Sequence, residues 1–268
     1  MKKVFVTLAN KEFLPYVKPL EVCARVVGKW DGDFVLIIPE EDKDASDTSE
    51  LEKRGIKIYY GKKLPSNPPV HFYKMYLFHE YFKQWDWIFF CDLDVIFFDK
   101  IKFDLDNKQK DILYANVDGL SFGKQFNFDN KTHSHLLNQM VMELPLYVHS
   151  FKAFQSCFML FNKKLIEENY YNKLLEFYKK YYPIRKTNWW DQSIFNLTFF
   201  KKWKPLGKKF INDNPVLREV RWDLSKLEGG YYDRNDYSDI IALHFYMQFA
   251  PWDKHNLRFY PIWKEYQG

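Results

Sequence analysis

Short apolar runs and amphipathic stretches alternate along the first third of the chain. KVFVTL (3–8), DFVLIIP (33–39), GIKIYY (55–60) and WDWIFFC (85–91) are rich in β-branched or aromatic residues and read as strands. PYVKPLEVCARVVGKW (15–30), DASDTSELEKRG (44–55) and HFYKMYLFHEYFKQW (71–85) lie between them and read as helices, the second with Ser and Thr as candidate caps. Strands alternating with helices predict a parallel sheet with crossover helices. In such sheets ligands bind beyond the carboxyl ends of the strands.

The pattern continues less regularly. DILYANV (111–117) and FQSCFMLFN (154–162) read as strands, the latter running into one long helix, KKLIEENYYNKLLEFYKKYY (163–182). TNWWDQSIFNLTFF (187–200) reads as a capped aromatic helix, and IIALHFYMQFAPW (240–252) as a strand that finishes at His244. Residues 119–150 are more polar, with His133, His135 and His149. They read either as a flap or acceptor-binding insertion or, for each histidine, as an ordinary surface excursion. No internal repeat and no Gly/Ser linker divides the chain.

Composition narrows the class. A chain of 268 residues that is 47% hydrophobic and 20% aromatic has ample material for a core, which excludes disorder. Three widely spaced cysteines, Cys23, Cys91 and Cys157, argue against a disulfide framework or a thiolate metal site. The N-terminal MKKVFVTLANKEF is interrupted by polar residues before a signal core forms, and no run reaches the roughly 18 apolar residues of a membrane span. A soluble, reducing, cytoplasmic setting is expected. The net charge of +5 reads as solvated lysine, with attraction to nucleotide phosphates, nucleic acid or an acidic membrane left open.

FFCDLDVIFF (89–98) sets two acids in an otherwise apolar strand. An unpaired carboxylate in such a setting costs several kcal/mol or becomes neutral. Asp92 and Asp94 therefore read as lying at the strand's end, facing a site, with Leu93 turned away because strand neighbours face opposite sides. A turn cap plus a lysine partner accounts for them locally. A divalent cation held by hard oxygens accounts for both acids together.

With these residues in view, the chain resembles the family 8 glycosyltransferases, the group of glycogenin and the bacterial lipopolysaccharide galactosyl- and glucosyltransferases. Five segments carry the likeness in sequence order. VFVTLANKEF resembles the first strand and nucleotide-contacting loop, and WDWIFFCDLDVIFF resembles the D-x-D strand. FQSCFMLFN resembles F-N-S-G-V-M-L-F-N, WWDQSIFN resembles the D-Q-x-x-x-N segment, and LHFYMQFAPW resembles H-F-x-G-x-x-K-P-W.

The resemblance implies a single GT-A domain over 1–268, an α/β fold with a Rossmann-like, mostly parallel sheet flanked by helices. It implies a nucleotide-sugar donor, UDP before GDP and glucose or galactose as the sugar, a glycan or glycoconjugate acceptor, and transfer with retention. Asp92, Asp94 and His244 match the metal ligands, so their strands are expected to end at one edge of one sheet. Thr7, Leu8, Ala9 and Asn10 fall in the nucleotide-contacting loop, and Phe13 falls where an aromatic stacks on uracil. Lys74 matches a basic residue ahead of the D-x-D strand, and Leu93 lies within the motif itself. Ala115 and Asn116 lie where the donor sugar is contacted, Gln155 and Ser156 line its pocket, and Asp191 and Gln192 are closest to the reacting carbon.

Two carboxylates, an imidazole and diphosphate oxygens complete six-coordination, and the added nitrogen points to Mn²⁺, with Mg²⁺ as the alternative. Asp191 also reads as an acid at a helix N-terminus, a compatible role. The departures are Gln155 for Asn, Cys157 for Gly, Met247 for Gly and Ala250 for the lysine that helps to hold the diphosphate, with Lys254 or Arg258 as candidate substitutes. Trp189, Trp190, Tyr231 and Tyr232 are candidate stacking platforms. An inverting transferase on the same scaffold, or a non-catalytic glycan- or nucleic-acid-binding module, is the competing account. No nucleic-acid motif accompanies the aromatics, so no nucleic-acid partner is expected. The tail, 253–268, mixes basic and aromatic residues and reads as a peripheral membrane anchor or as a packed helix.

Overall fold

A computed structural model describes residues 1–126, 134–143, 152–184, 191–207, 210–212, 240–245, 250–254 and 259–267. Strands β1 (Lys3–Leu8), β2 (Asp33–Pro39), β3 (Ile56–Gly61) and β4 (Trp87–Cys91) form where the apolar runs predict them. They are followed by β5 (Val95–Phe97), β6 (Leu113–Ser121), β7 (Lys152–Asn162), β8 (Trp203–Pro205), β9 (Phe210–Asn212) and β10 (Ala242–His244). Seven strands form one sheet in the order β3-β2-β1-β4-β7-β6-β8, and β5-β10-β9 form a second, smaller one.

The parallel sheet predicted by the alternation holds from β3 through β4. β7 then runs antiparallel to both β4 and β6, and β8 restores a parallel pair with β6. Both faces of the inner strands β1, β2 and β4 are covered, which is why their residues are buried without a break from Val4, Phe34 and Trp87 onward, while the edge strand β3 exposes Lys57. Val4, Val6, Ile88 and Phe90 face one core cluster, and Phe5, Phe89 and Cys91 face the other.

The helices depart from expectation in two places. Helix α1 (Val17–Val26) and the short α2 (Ser49–Lys53) form as predicted, but Thr48 at the start of α2 makes no side-chain cap. The stretch predicted as a helix over 71–85 is instead two 3-10 segments, Val70–Phe78 and Glu80–Gln84, separated by extended backbone at His79. Every side chain from Phe72 to Phe78 is buried, so packing on all sides overrides the helical pattern. The single long helix expected over 163–182 is broken into α4 (Lys164–Glu167) and α5 (Tyr170–Tyr181). Asn169 sits at the break with φ 63°, a left-handed conformation that asparagine tolerates better than most residues. Helix α3 (Ser134–Glu143) lies within the segment 119–150, alongside the last strand residues of β6 and a 3-10 turn over Phe122–Gln125. The rest of the predicted flap, with His133 and His149, lies outside the described residues, as do the four candidate stacking aromatics and Arg258. Helix α6 (Gln192–Thr198) follows Asp191.

Near the C-terminus, α7 (Tyr260–Lys264) packs inward. Phe259, Ile262, Trp263 and Tyr266 are all buried in the cluster beneath α1, which fits the packed-helix account of the tail, and no described helix is long and apolar enough to cross a membrane. Trp263→Ala is expected to lower stability by about 3–5 kcal/mol, the cost of a large core truncation. Urea unfolding checks this; a change below about 1 kcal/mol would show that the tail is peripheral to the core.

Candidate active site

The two acids lie between the sheets. β4 ends at Cys91, β5 begins at Val95, and Asp92 to Asp94 make the crossing. Three backbone contacts hold this crossing. Thr7 Oγ1 donates to the carbonyl of Cys91 at 2.8 Å, the Asp92 amide donates to the carbonyl of Cys157 at 3.0 Å, and the Phe245 amide donates to the carbonyl of Asp94 at 2.8 Å. β10 runs antiparallel to β5 with His244 opposite Val95, so the imidazole arrives one residue from Asp94. The strands of the acids and of His244 thus end in two different sheets, not at one edge of a single sheet, because the chain changes sheets within the D-x-D turn.

His244 Nε2 lies 3.1 Å from Asp94 Oδ1 and 3.8 Å from Asp92 Oδ2. One ligand atom from each of the three residues falls within 4.8 Å of the other two. Octahedral ligands at about 2.2 Å from an ion are about 3.1 Å apart when adjacent and about 4.4 Å apart when opposite, so the set suits one ion. Leu93 is buried in the apolar cluster, turned from the acids as alternation requires.

Lys74 supplies the cation already present. It is almost fully buried, with Nζ 2.9 and 3.0 Å from the two carboxylate oxygens of Asp92, 3.8 Å from Asp191 Oδ2, and 3.4 Å from both Ser156 Oγ and the Ser156 carbonyl. Burial works against its charge, but Asp191 and Asp92 outweigh burial and hold its pKa above the ordinary value. Burial pushes the Asp92 carboxyl up, with Lys74 and His244 opposing it only in part. At His244 burial disfavours charge, yet Asp94, Cys157 and the hydrogen bond to Asp94 raise its pKa well above the usual imidazole range. Burial at Asp92 is therefore not fully offset by Lys74 and His244, a deficit that a divalent cation beside it fits.

The remaining predicted residues separate into two groups. Leu8 and Ala9 are buried apolar residues, Thr7 uses its hydroxyl on β4, and the Ala9 amide donates to the carbonyl of Ile37 at 3.1 Å. Asn10 Oδ1 accepts from the Phe13 amide at 3.2 Å, and Phe13 lies near Tyr16, which stacks on Trp252 at 4.1 Å. Across the crossing, Asn116 on β6 stands opposite Gln155 on β7, next to an irregularity in the pairing after Ala115. Asn116 is buried and neither amide atom has a hydrogen-bond partner, a configuration that costs about 1–3 kcal/mol unless a ligand completes it. Asp191 caps no backbone amide of α6 through its side chain, whereas Asn196 pins the start of α6 to β7, donating to the carbonyls of Phe154 and Gln192 and accepting from the Phe154 amide. Ala250 is buried and Lys254 exposed.

Sequence reasoning missed Asp118, Gln125, His71 and the role of Asn196. Asp118 accepts from Gln192, Gln125 and Gln155. The signal for it was strand alternation, which sets Asn116 and Asp118 on one face. His71 is half-buried, and burial, then Lys74, pushes its pKa down.

A model of the glycosyl transferase family 8 matches residues 34–256. The chain is a family 8 glycosyltransferase. This glycosyltransferase has the fold of the GT-A enzymes. It superposes on the galactosyltransferase LgtC in complex with donor and acceptor sugar analogues with a TM-score of 0.62 and 14% identity, covering 99% of this chain and 95% of LgtC. For the glycosyltransferase GlyE of Streptococcus pneumoniae TIGR4 the TM-score is 0.60 and the identity 16%, over 100% of this chain and 60% of GlyE. For mouse xyloside xylosyltransferase 1 they are 0.51 and 13%, over 92% and 99%. The chain spans only half of the bifunctional WbbM, another structural neighbour. No curated protein matches the sequence significantly.

Proposed function

We propose that this glycosyltransferase moves a hexose, glucose or galactose, from a UDP-sugar to a glycan or glycoconjugate hydroxyl, with Mn²⁺ bound and with retention of configuration. The observation that carries this reading is the convergence of Asp92, Asp94 and His244 next to Lys74 and the unsatisfied amide of Asn116. Asp92, Asp94 and His244 would hold the ion; when bound it supplies Lewis acidity to the departing diphosphate. Lys74 keeps its proton and balances Asp92 and Asp191 while the site is charged. Phe13, beside Tyr16 and Trp252, offers a face for the base, and Asn10 shapes the turn that presents it. Ala115, Asn116, Gln155 and Ser156 orient the sugar. Asp191 and Gln192 stand nearest the anomeric carbon, where positive charge grows and oxygen lone pairs stabilise it. The buried Ala250 supplies no cation to the diphosphate, which places more of that binding on the ion. The whole chain acts as one catalytic domain in this reading, and the described packing of the tail does not support a membrane contact.

The test is a panel of nucleotide sugars with Mn²⁺, reading nucleotide release and the anomer of the product. One UDP-hexose is expected to turn over, with chelation abolishing both turnover and UDP binding in calorimetry. An inverted product removes the retaining mechanism. UDP affinity that persists after chelation removes the dependence assigned to Ala250, and polynucleotide binding without turnover on any donor would replace the whole reading.

A further inference from the structure

A buried carboxylate lies behind the reacting centre with no part in the steps above. Asp118 sits on β6 two residues beyond Asn116, and it is nearly inaccessible to solvent. Three glutamine amides converge on it from three different elements. Gln192 Nε2 at the start of α6 donates to Oδ2 at 2.5 Å, Gln125 Nε2 in the 3-10 turn donates to the same oxygen at 3.1 Å, and Gln155 Nε2 on β7 reaches Oδ1 at 3.5 Å.

An ionised carboxylate only accepts hydrogen bonds, whereas a carboxamide has a donating end and an accepting end. An amide that meets a carboxylate must therefore present its NH₂ to it and turn its carbonyl oxygen elsewhere. This constraint is chemical and does not depend on how nitrogen and oxygen are placed. The Gln192 backbone is fixed as well, because Asn196 Nδ2 donates to its carbonyl at 3.0 Å while the same amide pairs with Phe154 of β7. Gln192 is thus held at its backbone carbonyl and at its side-chain NH₂, which turns the side-chain carbonyl oxygen away from Asp118.

We infer that Asp118 is a positioning residue that locks the Gln192 carboxamide with its carbonyl oxygen, and not its NH₂, toward the donor sugar. The inference rests on the proposed function for the role of Gln192, but the lock itself is a property of the protein alone. A carbonyl oxygen favours positive charge developing at the anomeric carbon; an NH₂ turned the same way opposes it. Gln125 is fully buried, touches Asp118 and serves to hold the carboxylate in place.

Asp118→Asn preserves shape and lets the new amide accept or donate, so Gln192 gains a second orientation. The expected result is a fall in kcat of about 10–100-fold, as for residues that orient ligands from behind, with KM for the donor changed by less than about threefold. Gln125→Met, which removes one donor without a charge, is expected to reproduce a smaller fall in kcat at unchanged KM. A second readout needs no turnover. The side-chain amide resonances of Gln192, assigned by their loss in Gln192→Met, are expected in the wild-type protein to be displaced and protected from exchange, and to return to ordinary positions in Asp118→Asn. Unchanged kcat in both variants of an active enzyme, or Gln192 resonances unmoved by Asp118→Asn, would overturn the inference. Failure of the wild-type protein to transfer from any donor would instead overturn the proposed function, and the resonances would still decide whether the lock exists.

Discussion

Asp94→Asn is expected to reduce turnover by about 100-fold or more while leaving the fold intact. Asp94 Oδ1 is the nearest carboxylate oxygen to His244, and its backbone carbonyl is separately held by Phe245. The substitution removes a charged ligand and keeps the shape and the backbone contact, so no cavity opens. Loss of a partner that merely orients a metal ligand already costs about 10–100-fold, and loss of the ligand itself costs more. His244→Ala should lower metal affinity and kcat together. The measurements are Mn²⁺ titration by calorimetry, steady-state kinetics and thermal melting in chelator. An Asp94→Asn enzyme with undiminished turnover and metal affinity would remove the three-residue site and with it most of the functional reading.

The second large effect is on stability. Lys74→Met should destabilise the metal-free protein by about 3–5 kcal/mol, because it strands Asp92 and Asp191 without the cation between them. For a chain of this size that is a fall in Tm of about 10 °C. The loss should shrink when Mn²⁺ is present, since a divalent ion restores part of the missing charge to Asp92. Equal losses of Tm with and without Mn²⁺ would show that Lys74 and the ion do not act on the same carboxylate. No loss at all would show that Asp92 is satisfied without Lys74.

Much of the first half of the fold was legible because its elements are local. β1, β2 and β4 are short runs of β-branched and aromatic residues buried on both faces, the edge strand β3 is partly exposed, and such runs declare themselves without knowledge of their neighbours. The 3-10 winding over Val70–Phe78 was not legible, since an apolar stretch surrounded by core can wind more tightly than its period indicates. The direction of β7 was not legible either. A strand's composition does not record whether its neighbour runs with it or against it, and only the pairing of Trp87 with Asn162 through Cys91 with Phe158 makes it antiparallel.

The same division applies to the site. The acids were readable because charge inside an apolar strand is costly wherever the strand lies, and His244 was readable because a family pattern repeats the residue at the end of its strand. The sequence by itself therefore determined which groups had to find a partner. Which partners they found was decided by tertiary structure alone. Asp94 and His244 are separated by more than half the chain length, and they meet because the chain passes from the large sheet to the small one between β4 and β5, where β10 adds alongside. Asp118 carries no local mark of its task; strand alternation gives it a face, and three amides from a 3-10 turn, β7 and α6 reach that face only once the sheet has formed. Local propensity acts over a few residues, so it specifies elements and their unmet needs, while contacts across the chain arise from packing that excludes water around a single arrangement.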